Sequence, residues 1–333
     1  MKQVILTLKI ILVLTGLMFT INHSGIVSAQ TTDVAMLSQP EGDVELRRHR
    51  RKRVLRDDVL LNQDDVIRVF GNGTAVIFQP YVTVTRLGSN NRQFVVVKHT
   101  PPSPKNALTP AEFARLKSNY LAAQQNRKNL SPVVMGGTED AVLISLEPRN
   151  SVVLGSRPTF IWNQIANATK YLVNIYNTNG SVICTETTNN TKLTLPDNCP
   201  PLEPGEYKWD VTARLGNQAL KNSALYDASP FSVATEKEVL NISGEINHAQ
   251  ALSATNDDAS LIYITTLMEY GLYPLAEKEL HGALERAPTN DLLWSLLMET
   301  YSRMKRWNAR ERARLLSSTN PTGKMIRSLE KWK

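Results

Sequence analysis

The densest group of chemically useful side chains in this sequence is a run of cations at residues 47–53. His49 interrupts six basic residues, which are Arg47, Arg48, Arg50, Arg51, Lys52 and Arg53. Guanidinium groups bind phosphate and carboxylate groups through paired hydrogen bonds. The run therefore predicts a binding site for an anionic partner.

Like charges at this density repel one another, so the run is expected to form an exposed loop rather than an ordered strand. Two other interpretations stay open, a solvated hairpin tip without a partner and a protease processing site. No aromatic residue interrupts the run, and stacking residues are the usual companions of cations in nucleic-acid binding. Nucleic acid is therefore not an expected partner.

The sequence contains no recognisable catalytic constellation. Beyond residue 29 the histidines are His49, His99, His248 and His281, in four separate segments without metal-ligand spacing. Nucleophile-elbow, phosphate-loop and dinucleotide-binding motifs are missing. We therefore predict no catalytic, cofactor-binding or metal-ligating residue and no enzymatic activity. Two distant carboxylates that meet in a cleft, as in a glycosidase, remain the alternative.

Acidic residues occur in adjacent pairs at 57–58, 64–65 and 257–258. Each pair lies at a predicted turn or helix start, where carboxylates accept hydrogen bonds from backbone N–H groups. The pairs are therefore interpreted as caps.

Cys184 and Cys199 are the two cysteines of the 333-residue chain. An even pair within one predicted domain indicates a disulfide if the protein is exported to an oxidising compartment. Two buried thiols that behave as small apolar side chains are the alternative.

Residues 1–29 resemble a secretory signal peptide. Lys2 and Lys9 precede the apolar run 10–21, and the small residues that end at Ala29 predict cleavage before Gln30. The run is short for a membrane span, which needs about 20 apolar residues. An uncleaved anchor from Val4 would carry Lys9 into the bilayer. We therefore expect a periplasmic or secreted protein with no integral membrane segment after cleavage.

Export also limits the partners of a basic chain. The chain has 38 Lys and Arg against 31 Asp and Glu, a net charge of +7. Because residues 1–29 hold two of the cations and no acid, about +5 remains after cleavage. An exported protein with this charge meets anionic envelope polymers or acidic proteins.

Apolar alternation divides the rest of the chain into four parts. Residues 30–98 contain short strand-like runs at 34–46, 54–61, 66–70, 74–78, 82–87 and 94–97, with predicted turns at 71–73 and 88–91. Residues 99–140 form a Pro-rich linker and a helix, residues 141–236 a second β block, and residues 237–333 a helical region.

The helix of the linker is predicted from a capping box. Thr109 and Glu112 have the required spacing, Pro110 occupies the first helical position, and the helix should end near Asn129. An apolar stripe of Phe113, Leu116, Tyr120 and Leu121 predicts packing on a neighbouring domain. A free amphipathic spacer is the alternative.

The second β block has seven or eight strand-like runs in about 95 residues, which is sandwich spacing. Residues 202–207, Leu-Glu-Pro-Gly-Glu-Tyr, resemble the tyrosine corner of fibronectin type III and immunoglobulin-like domains. Trp162 in the segment 158–162 matches the early core tryptophan of those domains. We expect Trp162, Tyr171, Tyr207 and Trp209 in the core; an aromatic ligand platform is the alternative.

The helical region resembles tetratricopeptide repeats. The matching residues are Gly271, Tyr273, Ala276, Leu280, Ala283 and Pro288 in one repeat and Trp294, Leu297 and Tyr301 in the next. Arg310 and Arg314 then replace small and apolar residues, so the second repeat is a degenerate end piece or a solvated cap. Fewer than two good repeats should need support from the sandwich, from residues 109–129 or from a partner.

Residues 42–47 (GDVELR), 61–68 (LNQDDVIR) and 73–78 (GTAVIF) are similar to the FecR family in order and spacing. Asp64 replaces a family Gly, and residues 79–81 replace a family turn. The resemblance implies a bacterial host. Regulators of this family carry a cytoplasmic segment and a membrane helix ahead of the domain. Because a cleavable signal is expected here instead, we do not expect this chain to hold a sigma factor.

The sequence thus predicts a multidomain protein with an all-β FecR-like N-terminal domain, an immunoglobulin or fibronectin III-like β-sandwich and an α-helical tetratricopeptide-like C-terminal region. The expected function is an exported non-enzymatic scaffold or adaptor that binds an anionic envelope polymer, a protein partner or both. The alternative is a FecR-like periplasmic sensor component that signals through a membrane partner.

Overall fold

The N-terminal part is one antiparallel sheet in a computed structural model that describes residues 33–89, 91–98, 107–128, 142–223, 228–255, 259–319 and 321–330. Its strands are β1 (Asp33–Arg48), β2 (Arg51–Leu55), β3 (Val59–Asn62), β4 (Val66–Phe78), β5 (Thr85–Leu87) and β6 (Gln93–Val95). The main order is β2-β1-β4-β5, with β3 added to β1 and β6 to β4. The predicted signal peptide, with Ala29 and Gln30, lies outside the described residues.

Strands β1 and β4 are long because each carries a bulge instead of a turn. The register between them shifts on both sides of Glu41, where Gly42 and Gly71 have φ angles of +64° and +55°. A Cβ atom on Gly73 would lie 2.9 Å from the Asp43 carbonyl oxygen. The prediction of a turn at residues 71–73 is therefore wrong: the glycines let two strands approach closely and bend together.

The bend divides the sheet into two halves. In the half with the start of β1 and the end of β4, Ala35 and Leu37 pack in the core of the sheet, while Met36, Val76 and Phe78 join the core of the helices. In the other half, β2, the end of β1 and the start of β4 have one buried face and one open face, on which Val54 and Phe70 are about half exposed.

The middle part is a sandwich of two sheets. One has the order β12-β9-β7, and the other has the order β11-β10-β13-β15-β8, with β14 added to β13. The strands are β7 (Ser145–Glu147), β8 (Ser151–Val153), β9 (Thr159–Trp162), β10 (Lys170–Asn177), β11 (Val182–Thr188), β12 (Lys192–Thr194), β13 (Gly205–Leu215), β14 (Gln218–Asn222) and β15 (Ser229–Val233). The spacing of the apolar runs thus correctly predicted a sheet-rich middle part, in which residues of both sheets share one core.

Seven helices lie within the described residues. They are α1 (Pro110–Lys128), α2 (Glu236–Thr255), α3 (Ser260–Glu269), α4 (Tyr273–Arg286), α5 (Asp291–Arg303), α6 (Trp307–Ser317) and α7 (Gly323–Glu330). Helices α2 to α6 pack each on the next, and α7 returns to α4 and α6. The chain therefore combines a sheet-rich N-terminal and middle part with a helical C-terminal part. Within the described residues, no helix has the length and apolar character to cross a bilayer.

Helix α1 lies between the N-terminal sheet and the C-terminal helices. Its capping box forms as predicted, because Glu112 N–H donates to Thr109 Oγ1 (3.2 Å) and Thr109 N–H donates to Glu112 Oε2 (2.8 Å). Phe113, Leu116 and Tyr120 are buried, and the helix packs on α3 and α5. The helix is thus an integral part of the C-terminal core and not a free spacer.

Candidate functional site: a basic hairpin

The basic run 47–53 forms the tip of the β1–β2 hairpin. Arg48 pairs with Arg51 and Arg47 with Lys52, so His49 and Arg50 make a two-residue turn. His49 has a φ angle of +56°, as such a turn requires. The expectation of an exposed loop is therefore wrong for this run. The two strands belong to a larger sheet, which holds them in place. The cationic side chains point into solvent on both faces of the hairpin, which limits their mutual repulsion.

Arg48 anchors the hairpin through a buried carboxylate. Its Nη2 lies 2.7 Å from Asp65 Oδ2 and its Nε lies 3.0 Å from Asp65 Oδ1, while Nη2 also donates to the Leu60 carbonyl. Asp65 is almost fully buried and accepts a further hydrogen bond from Asn62 N–H at 2.8 Å. Arg48 therefore serves the hairpin structure and is removed from the six candidate anion-binding residues.

The other five candidates are exposed. Lys52 Nζ lies 3.6 Å from Glu45 Oε2, a loose contact at the surface. Among the described residues, no ion pair engages Arg47, Arg50, Arg51 or Arg53. The hairpin thus presents four arginines and one lysine to solvent.

The cations lie on both sides of the hairpin. Residues that face each other across antiparallel strands share a side, and neighbours along a strand alternate. Arg47 and Lys52 therefore share one side, while Arg51 and Arg53 share the other with buried Leu46. A flat ligand surface can meet only one of these two sets.

The disulfide between Cys184 and Cys199 is formed, as predicted, with a Cα–Cα distance of 5.7 Å. Potential metal-ligand atoms of Cys184, Glu186 and Cys199 lie within 4.8 Å of one another. Both sulfur atoms are used in the disulfide, so no thiolate is left to hold an ion. The bridge ties β11 to the segment after β12.

Three of the four aromatic residues that were expected in the sandwich core are buried there. Trp162, Tyr171 and Trp209 are buried, and Trp209 Nε1 donates to the Pro148 carbonyl at 2.6 Å. Tyr207 is half-buried, and its hydroxyl donates to the Glu203 carbonyl at 2.8 Å. This is the backbone contact that the Leu-x-Pro-Gly-x-Tyr pattern predicts, so these four rings do not form a ligand platform.

Two histidines form contacts with carboxylates that are not among the contacts predicted above. His248 Nδ1 lies 3.0 Å from Glu112 Oε1, across the α1–α2 interface. His281 Nε2 lies 2.9 Å from the Tyr301 hydroxyl and 3.8 Å from Glu277 Oε1, among almost fully buried residues. The i, i+4 spacing of Glu277 and His281 could have indicated that pair. Because the Glu277–His281 pair is buried, a substrate in solution cannot reach it.

A cleft of about 130 Å³ lies where the N-terminal sheet, α1 and the start of α5 meet. Carboxylates line it from both sides, and they belong to Glu41, Asp57, Asp58 and Asp291. Asp58 Oδ1 accepts from Gln39 N–H and the Asp58 carbonyl accepts from the Tyr120 hydroxyl. Asp58 thus links the N-terminal sheet to α1 and does not act as the local cap that the sequence predicted for this pair.

Comparison with known proteins assigns no family. Neither a family model nor a curated protein matches the chain. Among solved structures, dimeric latent PorU from Porphyromonas gingivalis is similar over 58% of this chain and 16% of that chain, with 10% identity and a TM-score of 0.23. The chain thus spans about a sixth of PorU, and a TM-score this low supports no conclusion about fold or function.

Proposed function

We propose that the protein is an exported, non-enzymatic scaffold that binds an anionic component of the cell envelope through its basic hairpin. The observation that carries the proposal is the ordered hairpin itself. Arg47, Arg50, Arg51, Lys52 and Arg53 are exposed on it, and the contact of Arg48 with Asp65 fixes its base. A preorganised array of cations binds anions with a smaller loss of conformational entropy than a mobile loop does.

Export is part of the proposal, and the disulfide supports it. Disulfides persist in the periplasm and outside the cell but are rare in the cytosol. The Cys184–Cys199 bridge is therefore what an exported protein would contain. On the resemblances described above, the N-terminal domain would be FecR-like, the sandwich fibronectin III-like and the helical region tetratricopeptide-like, and the latter two would act as spacers or protein-binding modules.

Retention on isolated cell envelope tests the function. The triple variant Arg50→Ser, Arg51→Ser, Arg53→Ser removes three exposed cations from the hairpin. The control variant Lys192→Ser, Lys208→Ser, Lys221→Ser removes the same charge from exposed positions on the sandwich. We expect the parent and the control to be retained in low salt and released by high salt. The hairpin variant should elute without retention; salt-sensitive retention equal to that of the control would refute the proposal.

A further inference from the structure

Strand β2 is an open edge of the N-terminal sheet. It pairs with β1 on one side, and within the described part of the chain no strand pairs with its other side. Alternate residues of an antiparallel strand direct their N–H and C=O groups away from the partner strand. Four of the five β2 residues are exposed, so these groups are accessible along the edge.

The cations of β2 surround this edge. Arg51 and Arg53 lie on one side of the sheet, and Lys52 lies on the other with Arg47 beside it. A ligand that contacts both sets must lie in the plane of the sheet, along β2. An extended polypeptide meets this condition, because its own side chains alternate between the two sides of the sheet.

The charges also decide which polypeptide can add to the edge. Cations on an edge strand repel a second copy of the same strand and disfavour apolar strands, a common protection against aggregation. A segment with three consecutive acidic residues would place carboxylates opposite Arg51, Lys52 and Arg53 on the matching sides. The same cations that disfavour pairing with apolar strands would thus favour pairing with an acidic strand.

We propose that β2 accepts an extended acidic segment of a partner protein as an additional strand of the sheet. This inference rests on the proposed function, since it names the anionic component as a polypeptide. Backbone hydrogen bonds to β2 would supply affinity, and the alternating cations would supply selectivity. The buried contact between Arg48 and Asp65 holds the edge ready for this pairing.

The experiment uses the full chain and the capped peptide Thr-Val-Glu-Asp-Glu-Val-Thr. We expect binding and slower hydrogen exchange of the β2 amides at residues 51–55 in the complex. A peptide of the same sequence with an N-methyl group on every backbone amide keeps its charge but has no N–H group to donate to β2 from either edge. It should bind at least about tenfold more weakly, the effect of losing about 1.4 kcal/mol of backbone hydrogen bonding.

Two protein variants complete the test. Arg51→Ser with Arg53→Ser should weaken peptide binding by about tenfold or more, and Lys208→Ser with Lys221→Ser should leave it unchanged. Equal binding of the N-methylated peptide, absence of peptide binding, or equal β2 protection by a polyphosphate chain would each overturn strand addition. Those outcomes overturn strand addition without changing the retention result. Retention that does not depend on the hairpin would overturn the proposed function, and peptide binding would then be left as a property of β2 without a role in the envelope.

Discussion

At the scale of single residues, the most consequential group is a buried ion pair between α4 and the start of α6. Arg306 Nη1 lies 2.7 Å from Glu277 Oε2, and both side chains are almost fully buried. The Arg306 guanidinium also lies over the Tyr301 ring at 5.0 Å. Each charge compensates for the desolvation of the other. Removal of one member should therefore destabilise the protein more than replacement of both.

We predict that Arg306→Met lowers the free energy of unfolding by about 3–5 kcal/mol, because it leaves the Glu277 carboxylate buried without its cation. Adding Glu277→Met should restore most of that loss, since two apolar side chains remove the uncompensated charge. Chemical denaturation of the parent, the single variant and the double variant measures both effects.

Arg314→Met provides the control for that prediction. Arg314 pairs with Glu311 at 2.6 Å within α6, where 30% of the Arg314 side chain and 8% of the Glu311 side chain are exposed. Loss of a partly solvated pair should cost less than about 1 kcal/mol. An equal loss in the Arg306 and Arg314 variants would show that burial of the Glu277 pair has no energetic role.

A second prediction concerns Tyr176 in the sandwich. Burial, the hydrogen bond to Asp210 and the negative charge of Asp210 raise the pKa of Tyr176 to about 12. In the unfolded chain the phenol ionises near pH 10. Between about pH 10 and 12 the unfolded state therefore releases a proton that the native state keeps, and the free energy of unfolding falls as the pH rises.

Tyr176→Phe should remove this part of the pH dependence. The variant loses the 2.7 Å hydrogen bond to Asp210 Oδ2, so at pH 8 it should be less stable than the parent by about 1–3 kcal/mol. The two stability curves should converge as the pH approaches 12. Urea denaturation at intervals from pH 8 to 12 measures them, and a constant difference across that range would contradict the assigned pKa.

At the scale of elements, helix α1 shows what a local pattern can and cannot predict. The Thr109 and Glu112 spacing predicts its start, and the stripe predicts buried Phe113, Leu116 and Tyr120. Leu121 was expected in the same stripe, yet 41% of it is exposed. An apolar stripe predicts which side of a helix is buried. The width of the buried face depends on the helices that pack against it, here α3 and α5.

The third prediction compares two leucines of this helix. Leu116 is almost fully buried and Leu121 is largely exposed, so the same substitution tests the two faces. Leu116→Ala should lower the free energy of unfolding by about 2–5 kcal/mol through lost burial and a cavity. Leu121→Ala should change it by less than about 0.5 kcal/mol. Similar losses, measured by chemical denaturation, would contradict the packing of α1.

The start of α2 has the same local signal as the start of α1. Thr235 and Glu238 form a second capping box, in which Glu238 N–H donates to Thr235 Oγ1 and Thr235 N–H donates to Glu238 Oε2. This is the spacing that marks α1 at Thr109 and Glu112. The helical region predicted over residues 237–333 therefore begins one residue earlier, at Glu236.

The hairpin and the bulges depend on contacts between distant residues, so the sequence alone could not predict them. Asp65 neutralises Arg48 across 17 positions, and that contact turns a repelling run into an ordered strand pair. Gly71 and Gly73 indicate a turn by composition, but pairing of β4 with β1 converts them into a bulge. Long-range pairing overrides local preference at both sites.

At the scale of the whole molecule, two of the parts meet through α1. Its Tyr120 hydroxyl donates to the Asp58 carbonyl of the N-terminal domain, and its buried residues share a core with α3 and α5. The helical region was expected to lean on another part of the chain, and residues 110–128 provide that support. The faces of α3 and α5 under α1 are therefore not a groove for a partner.

The sandwich contacts the helices at two places, the turn before α4 and the end of α5. Val152 N–H donates to the Gly271 carbonyl at 3.0 Å, and Arg149 Nε donates to the Met304 carbonyl at 2.8 Å. Gly271 has a φ angle of +68°, and a Cβ atom there would lie 3.1 Å from Val152 Cγ2. The absence of a side chain at this position permits both the backbone shape and the close approach.

The fourth prediction tests that junction with two glycines of opposite role. Gly271→Ala should lower the free energy of unfolding by about 1–3 kcal/mol, because alanine is strained at this φ angle and crowds Val152. Gly282→Ala is the control: it lies within α4 with only the far end of Arg286 nearby, so it should stabilise by up to about 1 kcal/mol.

The readout specific to the junction is the hydrogen exchange of the Val152 amide. In Gly271→Ala the contact with the Gly271 carbonyl should open more often, and exchange at Val152 should accelerate by about tenfold for each 1.4 kcal/mol lost locally. In Gly282→Ala it should stay as in the parent or slow. Unchanged exchange at Val152 in Gly271→Ala, despite a lower global stability, would mean that this contact does not couple the sandwich to the helices.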